Sequence, residues 1–212
     1  MPLEEQFEQP HGLGGLVAGE VMAWRNRGLN AWTLRLLGVR RTSRVLEVGF
    51  GPGVGIRMAA ALARRGRVAG VDPSSTMVKR ARWRNRKEVR ARRVDLRRGD
   101  VLALPWPAGA FTHAFSVNTF HEWDDPAHAL AELRRVLAPG GRVALTAQSR
   151  GARDLDEARV IAARSLALLG AAGFGELRVE WRRARPLPAH CLLGTLPVRG
   201  AAAGPALEPA SA

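Results

Sequence analysis

The sequence predicts an α/β protein: a doubly wound, seven-stranded, mostly parallel sheet with an antiparallel last strand and helices on both faces. Three observations predict it. From residue 44 to about 171, short β-rich apolar runs alternate with longer runs of helical period. The first apolar run ends in a glycine-dense turn that passes directly into a helical pattern. The last two runs, 176–184 and 190–196, have no helix between them, so they pair antiparallel at one edge of the sheet.

Each element has its own signal. A helical pattern covers 16–37, with Val17, Val21, Trp24 and Leu29 among its apolar members. Strand one is 44–49, followed by a helix over 54–65. Strand two, 67–72, leads into a strongly basic helix over 74–92, whose apolar stripe is Met77, Val78, Ala81 and Val89. Strand three is 93–98. Strand four, 111–117, follows a loop containing proline and glycine. The helix over 126–138 opens with Pro126 in its first turn and stops at Pro139-Gly140-Gly141. Strand five is 142–147, and a further helix runs over 155–171. The segments divide into a helical piece at 1–43 on the acceptor side, a core at 44–196, and a tail at 197–212 with the composition of disorder.

Composition limits the classes of function. A chain of 212 residues has room for one sizeable core. A single cysteine, Cys191, excludes an intramolecular disulfide and a multi-thiolate zinc site. No metal-ligand constellation is visible. The N-terminus, MPLEEQFEQP, does not read as a secretory leader, and no apolar run approaches the roughly 18 residues that would span a bilayer. The expectation is a cytoplasmic protein. The net charge of +14 is concentrated: fourteen Lys/Arg face three acids between Arg64 and Arg98. That segment could make weak contact with an anionic membrane or nucleic acid. The alternative is a solvated face in an arginine-rich chain. Oligomeric state is left open.

The chemistry is concentrated in VLEVGFGPGVG, residues 45–55. Glycines let the backbone turn sharply and approach a ligand closely. The spacing does not complete GxGxxG from Gly49, Gly51 or Gly53, and no Gly-Lys-Ser/Thr follows. What remains is ExGxGxG with Glu47 inside the strand. A carboxylate there would repel a pyrophosphate but suits an ammonium or sulfonium. Strand two ends in Asp72, where the ribose hydroxyls of a nucleoside ligand would fall.

Four stretches carry a family resemblance: VLEVGFGPGVG at 45–55, VAGVDPSSTMVKRAR at 68–82, RRGDVLALPWPAGAFTHAFSVNTFHEW at 97–123, and LAELRRVLAPGGRVALT at 130–146. Together they resemble class I S-adenosylmethionine-dependent methyltransferases, in the small-molecule and ubiquinone/menaquinone C-methyltransferase group. The resemblance implies a Rossmann-like fold, S-adenosylmethionine as cofactor and S-adenosylhomocysteine as product. It implies that Glu47 orders the amino-acid end of the cofactor above Gly49, Gly51 and Gly53. Asp72, followed by Pro73, would accept from the ribose hydroxyls; its competing role is a helix cap. Asp100 and Val101 would meet the adenine, with Met77 flanking it, and Asn118 joins the cofactor contacts. After strand four the family's base-amine methylating members carry Asn/Asp-Pro-Pro-Tyr/Phe; here the chain reads Val-Asn-Thr-Phe. That turns the expectation toward a small-molecule acceptor. His121 is the candidate general base, since imidazole titrates near neutrality; Glu122 could orient it. Phe7, Trp24, Trp32, Trp106 and Trp123 could line an acceptor pocket, and His11 could belong to a lid. Two further readings stand beside this one. One is a peripheral membrane enzyme for lipids or quinones. The other is a cofactor-binding regulatory or RNA-associated protein without turnover.

Overall fold

The structure, a computed structural model, describes residues 26–149, 152–184 and 188–198. Phe7, His11, Trp24, the first part of the expected 16–37 helix and the tail beyond residue 198 lie outside the described residues.

Helix α1 covers 26–37 and leads to β1 (Arg44–Val48). There follow α2 (Val54–Leu62), β2 (Arg67–Asp72), α3 (Ser75–Arg84), α4 (Arg86–Arg90), β3 (Val94–Arg98), β4 (Phe111–Val117), α5 (Pro126–Val136), β5 (Leu137–Gln148), α6 (Leu155–Ala171), β6 (Gly175–Arg182) and β7 (Ala189–Thr195). The seven strands form one sheet in the order β3-β2-β1-β4-β5-β7-β6. β1 to β5 run parallel to one another, and β7 runs antiparallel to both β5 and β6. The doubly wound sheet and its antiparallel end are as the sequence predicts.

Period-two alternation splits the buried side chains between two faces. On one, Val45, Val68, Val94 and Phe115 pack with Leu34, Leu37, Ile56 and Ala81 from α1, α2 and α3. On the other, Leu46, Ala69, Leu145 and Leu192 pack with Leu130, Leu133, Ala162 and Leu169 from α5 and α6. Covering both faces explains why the central strands are almost continuously apolar. α1 is also pinned by polar contacts: the Thr33 and Thr146 hydroxyls lie 2.7 Å apart, joining it to β5.

Three element boundaries differ from expectation. The basic helix over 74–92 breaks at Asn85, whose side-chain amide donates to the Ala81 carbonyl at 2.8 Å and to the Gly53 carbonyl at 3.1 Å. A tertiary hydrogen bond, not local propensity, divides it, and Val89 on α4 is half-buried rather than part of the core stripe. α2 stops at Leu62 rather than 65, because Gly66 must pass against the Ser43 carbonyl: a Cβ there would collide with that oxygen. α5 ends at Val136 and β5 begins at once with Leu137, through Pro139-Gly140-Gly141. Ala138 precedes proline, which disfavours helical backbone there, and Leu137 instead pairs with Phe111.

Candidate active site

The strand order reverses between β1 and β4, and a crevice opens beyond their carboxyl ends. A cleft of about 470 Å³ occupies it. Its walls come from the loop after β1, the ends of β2 and β3, the segment after β4, and two asparagines of α1.

The floor is the glycine loop. Gly49, Gly51 and Gly53 have φ of 68°, 51° and 79°, in the left-handed region that L-residues avoid. Gly49 has a second reason to be glycine: a Cβ would sit 2.5 Å from Thr119 Cγ2. The loop is held from both sides. Gly49 N–H donates to the Val71 carbonyl, and Asn85 binds the Gly53 carbonyl.

Two carboxyls flank this floor. Glu47 is 3% exposed, and its carboxyl accepts from the Ile56 N–H at the start of α2. Burial, and then the neighbouring Asp72 charge, push its pKa well above the usual carboxylate range. Its Oε2 has no hydrogen-bond partner among the described residues, and neither does Oδ1 of Asn30. Asp72 accepts from Gly51 N–H at 2.7 Å and from Ser74 N–H at 2.9 Å. Burial raises its pKa as well, and these two backbone bonds oppose the rise. Asp72 therefore organises the glycine loop while lining the cleft. The N-cap of α3 is Ser74, whose hydroxyl accepts from Met77 N–H.

The remaining sequence-predicted residues fall into two groups. Pro73, Met77, Asp100, Val101 and Asn118 all line the cleft with Glu47, Gly49, Gly51 and Asp72. Gly53 does not line it; it packs against Ala81 and Asn85 beneath the loop. Asp100 also makes a local turn, accepting from Leu102 N–H at 2.9 Å. Asn118 holds φ of 61° at the end of β4, a conformation for which its side chain compensates. Its Nδ2 donates to Asn26 Oδ1 at 2.9 Å and its Oδ1 accepts from Gln148 N–H at 2.8 Å, so it joins α1 to β5 across the cleft.

His121 stands apart. It is exposed on the short turn Phe120–Glu122 and is not among the residues that line the cleft, whereas Thr119, Glu122, Trp123 and Asp124 are. His121 Nε2 lies 3.8 Å from Glu122 Oε1. Of the tryptophans, Trp32 belongs to the core and Trp106 packs edge-on against Phe111 away from the cleft; Trp123 lines it, braced by Phe120 at 4.9 Å. Asn26, Asn30 and Thr119 are site residues the sequence did not reveal. Asn26 and Asn30 sit in no recognisable motif, and tertiary packing brings them there; Thr119 follows Asn118 within the 97–123 stretch, but nothing there singles it out.

Comparison with known proteins agrees with this geometry. The methyltransferase-domain family profile matches residues 46–145. The methyltransferase YdaC of Bacillus subtilis (strain 168) is 31% identical over 183 residues, 86% of this chain and 99% of its own length. A demethylmenaquinone methyltransferase of Thermus thermophilus is 34% identical over 125 residues; the match takes in 59% of this chain and only 54% of that enzyme. Among solved structures, a SAM-dependent methyltransferase from Aquifex aeolicus superimposes with a TM-score of 0.64 at 22% identity, over 79% of this chain and 89% of that one. With a full-length relative at that identity and a cleft at the switch point of this sheet, the chain belongs to the class I methyltransferase family, which uses S-adenosylmethionine as methyl donor.

Proposed function

We propose that the protein transfers the methyl group of S-adenosylmethionine to a small organic acceptor that enters beside the segment after β4. The observation that carries this reading is the cleft itself. Its donor end combines a glycine floor, a buried carboxyl with an unsatisfied oxygen and a second carboxyl at the end of β2; its other end is walled by Thr119, Glu122 and Trp123.

The residues present fit the cofactor. Glu47 and the glycine loop would hold its amino-acid end, Asp72 and Pro73 its ribose, and Met77, Asp100 and Val101 its adenine. Bound there, it supplies an electrophilic methyl on a sulfonium, open to in-line attack. The chain's contribution is then alignment. Asn118 fixes α1, β4 and β5 relative to one another, which favours a near-attack arrangement more than any acid or base would. His121 is the proposed base for an acceptor that must lose a proton, with the cleft-lining Glu122 3.8 Å from its Nε2. The division into a 1–43 acceptor-side segment, a 44–196 core and a tail belongs to the same proposal.

Calorimetric titration with S-adenosylmethionine and S-adenosylhomocysteine, with NAD as control, tests the reading. Micromolar binding of the first two and not of NAD supports it; absence of binding by all three removes it. A screen with labelled donor then finds the acceptor.

One observation favours a more specific version. Trp83 on α3 is 70% exposed with the Arg86 guanidinium 5.3 Å over its ring, and no residue of α4 beside it is fully buried. An exposed indole within a basic face is suited to the interface of an anionic bilayer. A relative named for demethylmenaquinone supports a membrane-borne acceptor. Sedimentation with anionic vesicles at low salt tests this version: no co-sedimentation leaves a freely diffusing acceptor as the substrate.

A further inference from the structure

The two edges of the sheet are finished differently. At one edge, the side chains of β3 are turned onto the chain itself. The Arg97 guanidinium bonds Asp95 at 2.9 Å and the Pro105 carbonyl at 2.9 Å, and the Trp106 indole donates to Asp95 at 3.2 Å. Arg92, Arg93 and Arg98 flank them, within the segment that carries most of the positive charge. At the other edge, β6 pairs only with β7 among the described residues. An open row of backbone N–H and C=O groups is a template for a further strand. β6 carries no proline, and its irregularity lies between Gly175 and Arg178, so Arg178 to Arg182 hold regular register.

Leu177 and Trp181 of this strand are 37% and 40% exposed, and they alternate with half-buried Val179 on one face. That face is the one α6 covers: Val179 packs against the cluster that holds Leu169 and Leu192, and a Cβ on Gly170 would lie 3.0 Å from Leu177 Cδ1. Helical spacing puts Val160, Ala163 and Ala167, all exposed, on the Gly170 flank of α6. Arg178 and Glu180 fall on the opposite face of the strand, with Arg178 Nε 3.9 Å from Glu180 Oε1. In a chain of net charge +14 this edge is balanced. β6 sets Glu176 and Glu180 against Arg178 and Arg182, and α6 sets Asp156 and Glu157 against Arg159 and Arg164. A second copy of the chain meets net repulsion at β3 and none at β6.

Symmetry restricts how two such strands can pair. Two copies pair antiparallel about a twofold axis normal to the sheet, so one residue faces its own copy and opposite residues share a face. An axis at Arg178 or at Glu180 sets like charge on like charge. An axis at Val179 sets Val179 on itself, Arg178 opposite Glu180 of the second copy, and Leu177 opposite Trp181 of the second copy. The run Leu-Arg-Val-Glu-Trp, residues 177–181, is thus complementary to its own reverse: apolar to apolar and base to acid.

We propose that β6 is a self-association strand, and that two copies of this chain join at Val179, edge to edge, into one continuous sheet. Each Arg178 then has a Glu180 on its own strand and another across the axis, closing a ring of two bases and two acids. The occupant of the edge is a second copy because the complementarity is to the strand itself. β7 and β5 stand between β6 and β4, so the crevice between β1 and β4 remains outside the interface.

Sedimentation velocity of the full chain over a wide range of concentration reads the association. Expected is a concentration-dependent dimer. Arg178→Glu sets acid against acid across the axis, and Glu180→Arg sets base against base. Each change acts twice per dimer and weakens it by at least about tenfold. Both side chains are about half exposed, so each variant keeps the fold, which is checked by its unfolding temperature as a monomer. Mixing the two variants places the introduced acid opposite the introduced base, and the retained Glu180 opposite the retained Arg178. A heterodimer forming from two weakened variants supports the proposal, since only the Val179 register predicts it. A monomer at every concentration overturns the proposal and leaves the edge to a different partner. A dimer that both variants leave intact overturns it by placing the interface elsewhere. Weakened variants that do not recover on mixing overturn the Val179 pairing.

Discussion

The two ends of the cleft are built on different principles. At the proposed donor end, Glu47 and Asp72 are 3% and 6% exposed, and the glycine loop is held by bonds from Gly49 N–H to Val71, Gly51 N–H to the Asp72 carboxylate and Gly53 N–H to Phe50. At the other end, the His121 and Glu122 side chains are 57% and 61% exposed, on a turn of three residues. The proposed donor end is buried and rigidly held, as a ligand of fixed shape would require. The other end is open, with Trp123 and its Phe120 brace as the rigid feature. A family that shares one donor and varies its acceptors would divide its structure in this way.

The sharpest way to break the contrast is to fill the donor end. In Gly55→Ala the new methyl collides with Glu47 Oε1 and Asn30 Oδ1, both fixed by burial. Overpacking of this kind costs about 1–3 kcal/mol of stability. Cofactor affinity should fall at least a hundredfold, about 2.7 kcal/mol, because the added methyl displaces two side chains that line the cleft. Thermal unfolding and calorimetry together separate the two effects. Asp72→Ala comes next, with a loss of at least tenfold, or about 1.4 kcal/mol, in cofactor affinity. It strips the partner from Gly51 N–H and Ser74 N–H as well as from the ligand. A folded Asp72→Ala protein with unchanged affinity would remove the ribose assignment.

Stability against pH gives a third contrast. His190, on β7, is buried with Nδ1 3.1 Å from the Ser149 hydroxyl, and its pKa is lowered to about 4 by burial first and by His121 second. A histidine with a depressed folded-state pKa contributes stability that is present above its unfolded pKa near 6.5 and lost as pH falls toward about 4. The full interval corresponds to an upper bound of about 3 kcal/mol. Glu47 and Asp72 act with the opposite sign: their raised pKa values favour the folded state at low pH, and that advantage is lost as pH rises through the raised values. Unfolding midpoints between pH 7 and 4.5 should therefore fall less steeply in His190→Asn than in the unaltered chain. Parallel curves would show that His190 is not the group that titrates.

The donor end was legible in the sequence because its chemistry is local. ExGxGxG and the aspartate closing β2 sit in short contiguous motifs, and the left-handed backbone of Gly49, Gly51 and Gly53 by itself calls for glycine. Asn30 and Asn26 were not legible. They reach the cleft only because α1 is docked on β5 through Thr33 and Thr146, a contact between residues 113 apart. Asn85 shows the same limit within the fold. Its local pattern continues a helix, and the break comes from a bond to Gly53, 32 residues away. The doubly wound, mostly parallel class of the sheet followed from strand–helix alternation, a property of the whole chain; the order of its strands is known from the structure.

The smallest expected effect, and the one that most sharpens the contrast, is at His121. An exposed histidine outside the cleft wall contributes little to the fold or to the donor site. His121→Ala should shift stability by less than about 0.5 kcal/mol and leave cofactor affinity unchanged. Turnover is then the informative quantity. A base role for His121 requires the acceptor to bring its proton out to the rim, and the variant would lose roughly a hundredfold in kcat. Glu122→Gln, on the residue that does line the cleft, provides the comparison. If Glu122→Gln lowers kcat and His121→Ala does not, deprotonation takes place inside the cleft and the imidazole is a bystander on its rim. If neither does, the acceptor is nucleophilic as it binds, and alignment by the end of β4 suffices for transfer.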